Sequence, residues 1–335
     1  MIYTHSMRSA CQRRANQILV AATGLAVLSG CGRAAKPPSP ARPSPGYPIT
    51  VADARGVAVR VENRPQRIVS AAPVVTEILF AVGAGDRVIA VSDQCDYPPE
   101  VRKLPRVGGF FSPSVERVLA AKPDLVIGSR GNPPDFLSAI HSSGCPVFTV
   151  DPKMISEIFG AVADIGRVTG CSEGTEQLVN EMHTRLATYI EGTEGVPEER
   201  RPTAFIFLQV DPIWTAGAQT FQDDAIRAAG ARNTAGNLQG FTAFPAESLI
   251  AADPDYLILS TMEGDPQRMA REVMANPIYR QLSAVRGNRI IVLEADQIMR
   301  PGPRIVDAVE AMAKAFYPDR FGPADSPSSS ATSAR

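Results

Sequence analysis

The 335-residue sequence predicts an α/β protein of two Rossmann-like lobes joined by a single long interdomain helix. Three observations carry that expectation. Short apolar runs alternate with stretches of helical spacing between residues 67 and 150. From 155 to 190 no strand intervenes, and apolar residues recur at helical intervals alone, at 155, 158, 159, 162 and 165 and again at 178, 179, 182, 186 and 190. After residue 202 the strand–helix alternation resumes. Apolar strands separated by helices imply a parallel sheet covered on both faces.

The segments follow in chain order. Residues 1–30 read as a secretory signal, with Arg8, Arg13 and Arg14 ahead of an 11-residue apolar run from Ile18 to Leu28. That run is too short for the ~20 residues a spanning helix needs. It ends in Leu28-Ser29-Gly30-Cys31, which resembles a bacterial lipobox and makes Cys31 the expected lipidation site. An ordinary signal peptide with a chance cysteine is the alternative. Residues 31–48 carry six prolines and read as an extended tether. The N-terminal lobe is expected over 49–171, the interdomain helix over 172–192, the C-terminal lobe over 193–323, and a disordered polar tail over 324–335.

Within the first lobe, 49–61 read as a hairpin about Ala54-Arg55-Gly56, with strands at 67–70, 88–91, 125–127 and 147–150. Helical spacing marks 75–82, 113–121 and 133–142. Gly170-Cys171-Ser172 breaks the central helical run, with Ser172 as the expected N-cap of the long helix. Beyond it, strands are expected at 203–208, 256–259 and 289–293, and helices near 221–229, 245–252, 266–275 and 302–315. An internal echo links the lobes. Glu116 opens a short helix with Pro123-Asp124 and an apolar strand behind it, and Glu247 does the same with Pro254-Asp255.

Composition narrows the function. The chain has 34 Lys+Arg against 35 Asp+Glu, and three of the basic residues fall in the signal, so the remainder is net −4. A nucleic-acid binder needs a basic excess, which is missing. Of three histidines only His141 and His183 lie beyond the signal, too few for a His-rich metal site. Cys95, Cys145 and Cys171 allow at most one disulfide, and their spacing does not pair them. Neither HExxH nor a P-loop occurs, and Gly83-Ala84-Gly85 is a turn leading into a strand, so no enzyme is expected. Two features suit ligand capture. Trp214, the sole tryptophan, follows a strand, where α/β proteins bind ligands, although a lone tryptophan also suits a core. Phe110-Phe111 follow Gly108-Gly109 in a loop and would make an exposed platform.

Four groups of residues together resemble a known family. They are Pro65-Gln66-Arg67-Ile68-Val69-Ser70 with Thr76-Glu77, Cys95-Asp96-Tyr97-Pro98-Pro99-Glu100, the paired Glu-x6-Pro-Asp segments, and Arg300-Pro301-Gly302-Pro303-Arg304. Their order and spacing over 49–318 resemble the helical-backbone (class III) periplasmic binding proteins of ABC importers for cobalamin, haem and ferric siderophores, most of all the cobalamin-binding members. The resemblance implies a ligand in the cleft between lobes and an extracytoplasmic monomer, lipid-anchored at the periplasm or cell surface. It also implies no resident cofactor and a permease dimer with ATPase subunits as partner, docked through Glu116 and Glu247.

For a corrinoid, the resemblance implies that Phe110, Trp214 and Phe241 pack on the macrocycle or its nucleotide loop, with Phe111 beside them, and that Asp296 hydrogen-bonds the ligand. Gln94 stands where the family has tyrosine, and Ser129 replaces a cleft tryptophan. A ferric siderophore is the alternative ligand, for which Arg130, Arg300 and Arg304 would meet anionic groups. Haem ranks third, since it needs an axial Tyr or His, and only Tyr97, His141 and His183 present themselves.

Overall fold

The computed structural model describes residue 44 and residues 46–262 and 264–322. The signal, Cys31, most of the tether and the tail from 323 lie outside the described residues. Among those described, no helix is long and apolar enough to cross a membrane.

The N-terminal lobe begins with an antiparallel hairpin, β1 (Ile49–Ala52) and β2 (Ala58–Val61). Its turn is held by buried Asp53, whose carboxylate accepts from the backbone N–H of Arg55 and Val57, and from Thr149 Oγ1 at 2.8 Å. Then come β3 (Ile68–Ser70), α1 (Pro73–Ala81), β4 (Val88–Val91), α2 (Val115–Ala120), β5 (Leu125–Ser129), α3 (Pro134–Ser142) and β6 (Val147–Val150). The strands form a parallel sheet in the order β4-β3-β5-β6. Alternate residues point to opposite faces. Ile68, Leu125 and Ile127 pack with α1, whereas Val69 and Val126 pack with α2 and α3. Helix α2 is shorter than its apolar spacing suggests, because Ser114 caps it by accepting from Arg117 N–H.

Two packed helices then follow, α4 (Ile155–Thr169) and α5 (Ser172–Thr193), of which α5 runs from the first lobe to the second. Ser172 is the first helical residue of α5 rather than its cap; Cys171 holds that position and makes no side-chain cap bond. Gly170 provides the left-handed turn between the helices, at φ 65°. At its start α5 presses Gly174 against the Val82 carbonyl of the first lobe, and at its end Gly192 meets the Phe321 ring of the second. Its buried stripe runs Met182, Leu186, Tyr189, so Ile190, which the sequence placed on that stripe, faces solvent.

The C-terminal lobe contains β7 (Thr203–Phe207), β8 (Gln209–Val210), β9 (Ile213–Ala216), α6 (Phe221–Ala228), β10 (Arg232–Asn233), β11 (Phe241–Ala243) and α7 (Ala246–Ala252). These are followed by β12 (Tyr256–Leu259), α8 (Pro266–Ala275), α9 (Ser283–Arg286), β13 (Ile290–Val292), α10 (Ala295–Ile298), α11 (Ile305–Phe316) and α12 (Pro318–Phe321). Its parallel sheet runs β10-β7-β12-β13. Taken in chain order within each lobe, both sheets have the strand order 2-1-3-4. A second, antiparallel sheet, β11-β9-β8, has no counterpart in the sequence reading.

The internal echo is a strand fastener. Lys122 and Asp253 end their helices in the left-handed region, at φ 50° and 38°, and each precedes a proline. The residue after that proline clamps the start of the first strand of its lobe's parallel sheet. Asp124 accepts from the N–H of Gln66 and Arg67 at 2.7 and 2.9 Å, and Asp255 accepts from Thr203 N–H and Oγ1, both at 2.8 Å.

All three described cysteines are free thiols, so no disulfide forms among them. Burial, with the charge of Asp124, pushes the Cys145 thiol up to about 11. At pH 8 it then holds roughly a hundredfold less reactive thiolate than an ordinary cysteine. Iodoacetamide labelling followed by peptide mass spectrometry should find Cys145 slow at pH 8 and faster as pH approaches 11. Complete labelling within minutes at pH 8 would contradict this environment.

Candidate functional site

In a sheet of this strand order, the crevice lies beyond the carboxyl ends of the strands, at the switch point between the first strand and the third. In the first lobe that point falls after β3 and β5, and one side chain spans it. Buried Asn132 donates through Nδ2 to Ala71 O (3.0 Å) and Phe110 O (2.9 Å), while its Oδ1 accepts from Ser129 N–H. The Phe110 loop is therefore pinned to the switch point. Gln94 pins it a second time, its Oε1 accepting from Phe110 N–H at 2.8 Å. A Cβ at Gly131 would lie 2.7 Å from the tip of the Phe110 ring, so a side chain there would displace the ring. Phe110 is half-buried, and Phe111, 78% exposed, stands edge-on to it at 4.8 Å.

In the second lobe the chain leaves β7 directly into the antiparallel sheet. Trp214 lies on β9 and Phe241 on β11, not in loops. Trp214 pairs with Ala243 and Ala216 with Phe241, so the two rings are diagonal neighbours on one face. They are 39% and 53% exposed, and Gln209 of β8 sits opposite Trp214. The lone tryptophan is thus on a surface rather than in the core.

A cluster of five charges adjoins the Phe110 loop, joined to it through Gln94. Glu77 on α1, only 3% exposed, accepts from Arg300 Nη1 (2.9 Å), Arg304 Nε (2.9 Å) and Arg304 Nη2 (2.8 Å). Arg300 also reaches Asp96 Oδ1 and Asp296 Oδ1, each at 2.9 Å, and Gln94 O at 3.4 Å. Arg304 meets Asp296 Oδ2 at 3.1 Å, and its guanidinium stacks 3.9 Å from the Tyr97 ring centre. Burial opposes the charge on both arginines, but the hydrogen bonds they donate to these carboxylates, with the carboxylates' charge, outweigh it and raise both above the ordinary arginine value. Arg300 and Asp296, expected to face a ligand, direct much of their polar capacity at each other and across the lobe boundary. Contacts thus join Gln94, Phe110, Arg300 and Asp296, while Trp214 and Phe241 share a separate sheet face.

The haem and siderophore candidates fare as follows. Tyr97 is engaged by Arg304. His141 lies on α3, and His183 lies on α5 stacked on Phe159. Arg130 is largely exposed, 3.8 Å from Asp151. No metal-holding cluster occurs among the described residues. A cavity of about 430 Å³ flanks the first lobe between Asp53, Asp151 and α4, but none of the exposed aromatic residues line it. Gly170-Cys171-Ser172-Glu173-Gly174 fits Gly-x-Ser-x-Gly; it joins two helices, whereas a nucleophile elbow joins a strand to a helix. Glu116 and Glu247 are both exposed, in the first turns of α2 and α7.

Comparison with known proteins gives a consistent result. A family model described as periplasmic binding protein matches residues 68–297. The chain is 31% identical over 302 residues to YvrC of Bacillus subtilis, an uncharacterized ABC transporter substrate-binding lipoprotein, covering 88% of this chain and 94% of that one. It is 27% identical over 280 residues to a cobalamin-binding protein of Halobacterium salinarum, covering 81% and 74%. Among solved structures, the periplasmic heme-binding protein RhuT from Roseiflexus sp. RS-1 superposes with a TM-score of 0.67 at 28% identity, over 75% of this chain and 98% of that one.

Proposed function

The chain belongs to the periplasmic binding protein family, the substrate-binding proteins of ABC importers, and from that premise we propose that it captures cobalamin or a related corrinoid between its lobes. It hands this cargo to a permease, docking through Glu116 and Glu247, and stands outside the cytoplasmic membrane on a lipid attached to Cys31. One observation carries the choice of ligand. The cleft arginine is already neutralised by carboxylates, while rings on both lobes stay exposed. Such a surface suits a large, flat, uncharged molecule that is rich in amides. It suits a polyanionic ferric siderophore poorly, because Arg300 and Arg304 have no charge to spare. The likeness to a heme-binding protein is the observation favouring haem. Against it, the three side chains available as axial ligands are stacked on Arg304 or carried on helices α3 and α5.

Stacking a macrocycle on one of these rings contributes about 1–3 kcal/mol. Cyanocobalamin should therefore quench Trp214, the sole tryptophan, and remain with the protein through desalting. Trp214→Ala should weaken binding about tenfold or more. If cyanocobalamin and cobinamide give neither quenching nor heat, the corrinoid reading is wrong, and haemin or a ferric siderophore binding in their place would identify the cargo.

A further inference from the structure

The charges around Arg300 do not balance. Two guanidinium groups, Arg300 and Arg304, face three carboxylates, Glu77, Asp96 and Asp296. Glu77 and Asp296 alone would match the two cations. Each of them touches both arginines, and Glu77 is buried at the lobe boundary. Asp96 is different. Among the described residues it pairs only with Arg300, it comes from the loop after β4, and its side chain is 47% exposed. The fastening of the lobes is complete without it, so its charge is surplus.

Arg300 is left with little to offer an anion. Of its five N–H donors, those on Nη1 serve Glu77 and Asp96, and Nη2 donates to the Gln94 carbonyl and lies 2.9 Å from Asp296 Oδ1 in an ion pair. The remaining donor, on Nε, is buried without a partner. A carboxylate or catecholate is held by a free guanidinium fork, and this fork is filled.

We infer that Asp96 is a specificity-determining residue, a counter-charge that reaches Arg300 across the lobe boundary and makes the cleft reject anionic chelates. This rests on the reading of the interlobe cleft as the ligand site, and it specifies the class of ligand excluded. The acid acts by charge alone: it cancels the attraction of Arg300 and adds a net negative charge beside the Gln94–Phe110 wall. Neutral ligands are indifferent to it. Asp96 therefore sharpens the choice between cargoes without holding the chosen one.

The test is a titration of the full chain and its Asp96→Asn variant with two probes, neutral cyanocobalamin and a trianionic ferric tris-catecholate. The variant should bind the trianion about tenfold more tightly at low salt, with the gain shrinking at 0.5 M salt as screening sets in. Cyanocobalamin affinity should stay within about twofold, since a neutral ligand has no net charge for Asp96 to repel. Asp96→Glu, which keeps the charge, should retain the exclusion, and adding Arg300→Gln to Asp96→Asn should abolish the gain. A second measurement needs no variant: trianion binding to the unaltered chain should strengthen as salt rises, because repulsion is being screened. The inference is overturned if the trianion binds the unaltered chain as tightly as the variant, or if its affinity for the unaltered chain falls with salt. A gain for the trianion with no corrinoid binding by either protein would leave the filter standing and remove the corrinoid reading.

Discussion

Glu77→Ala is expected to lower the unfolding free energy by about 3–5 kcal/mol, the usual cost of removing one partner from a buried charge network. The side chain is 3% exposed and accepts from two arginines of the other lobe, themselves 11% and 18% exposed. Its removal strands Arg304 Nε and leaves two guanidinium groups facing Asp296 and the partly exposed Asp96. Urea unfolding followed by circular dichroism measures the loss. Glu77→Gln keeps the shape and should still lose most of this stability, because the amide cannot replace the charge. A loss below about 1 kcal/mol would put the cluster in the class of solvent-exposed pairs, which contribute little.

Glu116→Ala combined with Glu247→Ala should abolish uptake of the cargo while leaving its affinity unchanged. Truncating a charge paired across an interface typically costs about 2–5 kcal/mol, so losing both should weaken docking well beyond tenfold. The structure supports paired roles through a shared local design. Each glutamate lies two residues before a fully buried anchor, Val118 in one lobe and Leu249 in the other. Each short helix then ends in a left-handed residue, a proline and a strand-clamping aspartate. The carboxylates are thus presented from equivalent, fastened positions. Radiolabelled uptake in cells, set beside titration of the purified double mutant, separates docking from capture. Undiminished uptake would refute the docking role.

The parallel sheets were legible because buried strands read as unbroken apolar runs, such as Leu125-Val126-Ile127 and Tyr256-Leu257-Ile258. The long helix was legible from its stripe, though Ile190 was assigned to it in place of Tyr189, one residue away. The antiparallel sheet was not legible, because its strands are two to four residues long and Asp211-Pro212 interrupts the alternation. Trp214 and Phe241 were selected on other grounds, but their shared face comes from a strand pairing that no local pattern announces. Phe110 and Phe111 do lie in a loop, as the paired glycines imply, yet the residue that pins Phe110, Asn132, had no stronger signal than its place before Pro133. The charge cluster was the least legible feature. Glu77 and Arg300 are 223 positions apart, and nothing in either neighbourhood marks the other as its partner.

The interior of the molecule bears on how it can come apart. The outer faces of the two sheets have cores of their own, but their inner faces share one apolar cluster. It runs from Ile78 and Phe148 through Met182 and Leu186 to Ile206 and Val309. A chain cut between the lobes would leave each half with a torn inner core and one face of its sheet in water. Melting of either lobe would therefore strip packing from the other. The protein is two modules by topology, and its shared core predicts that they unfold in one cooperative transition.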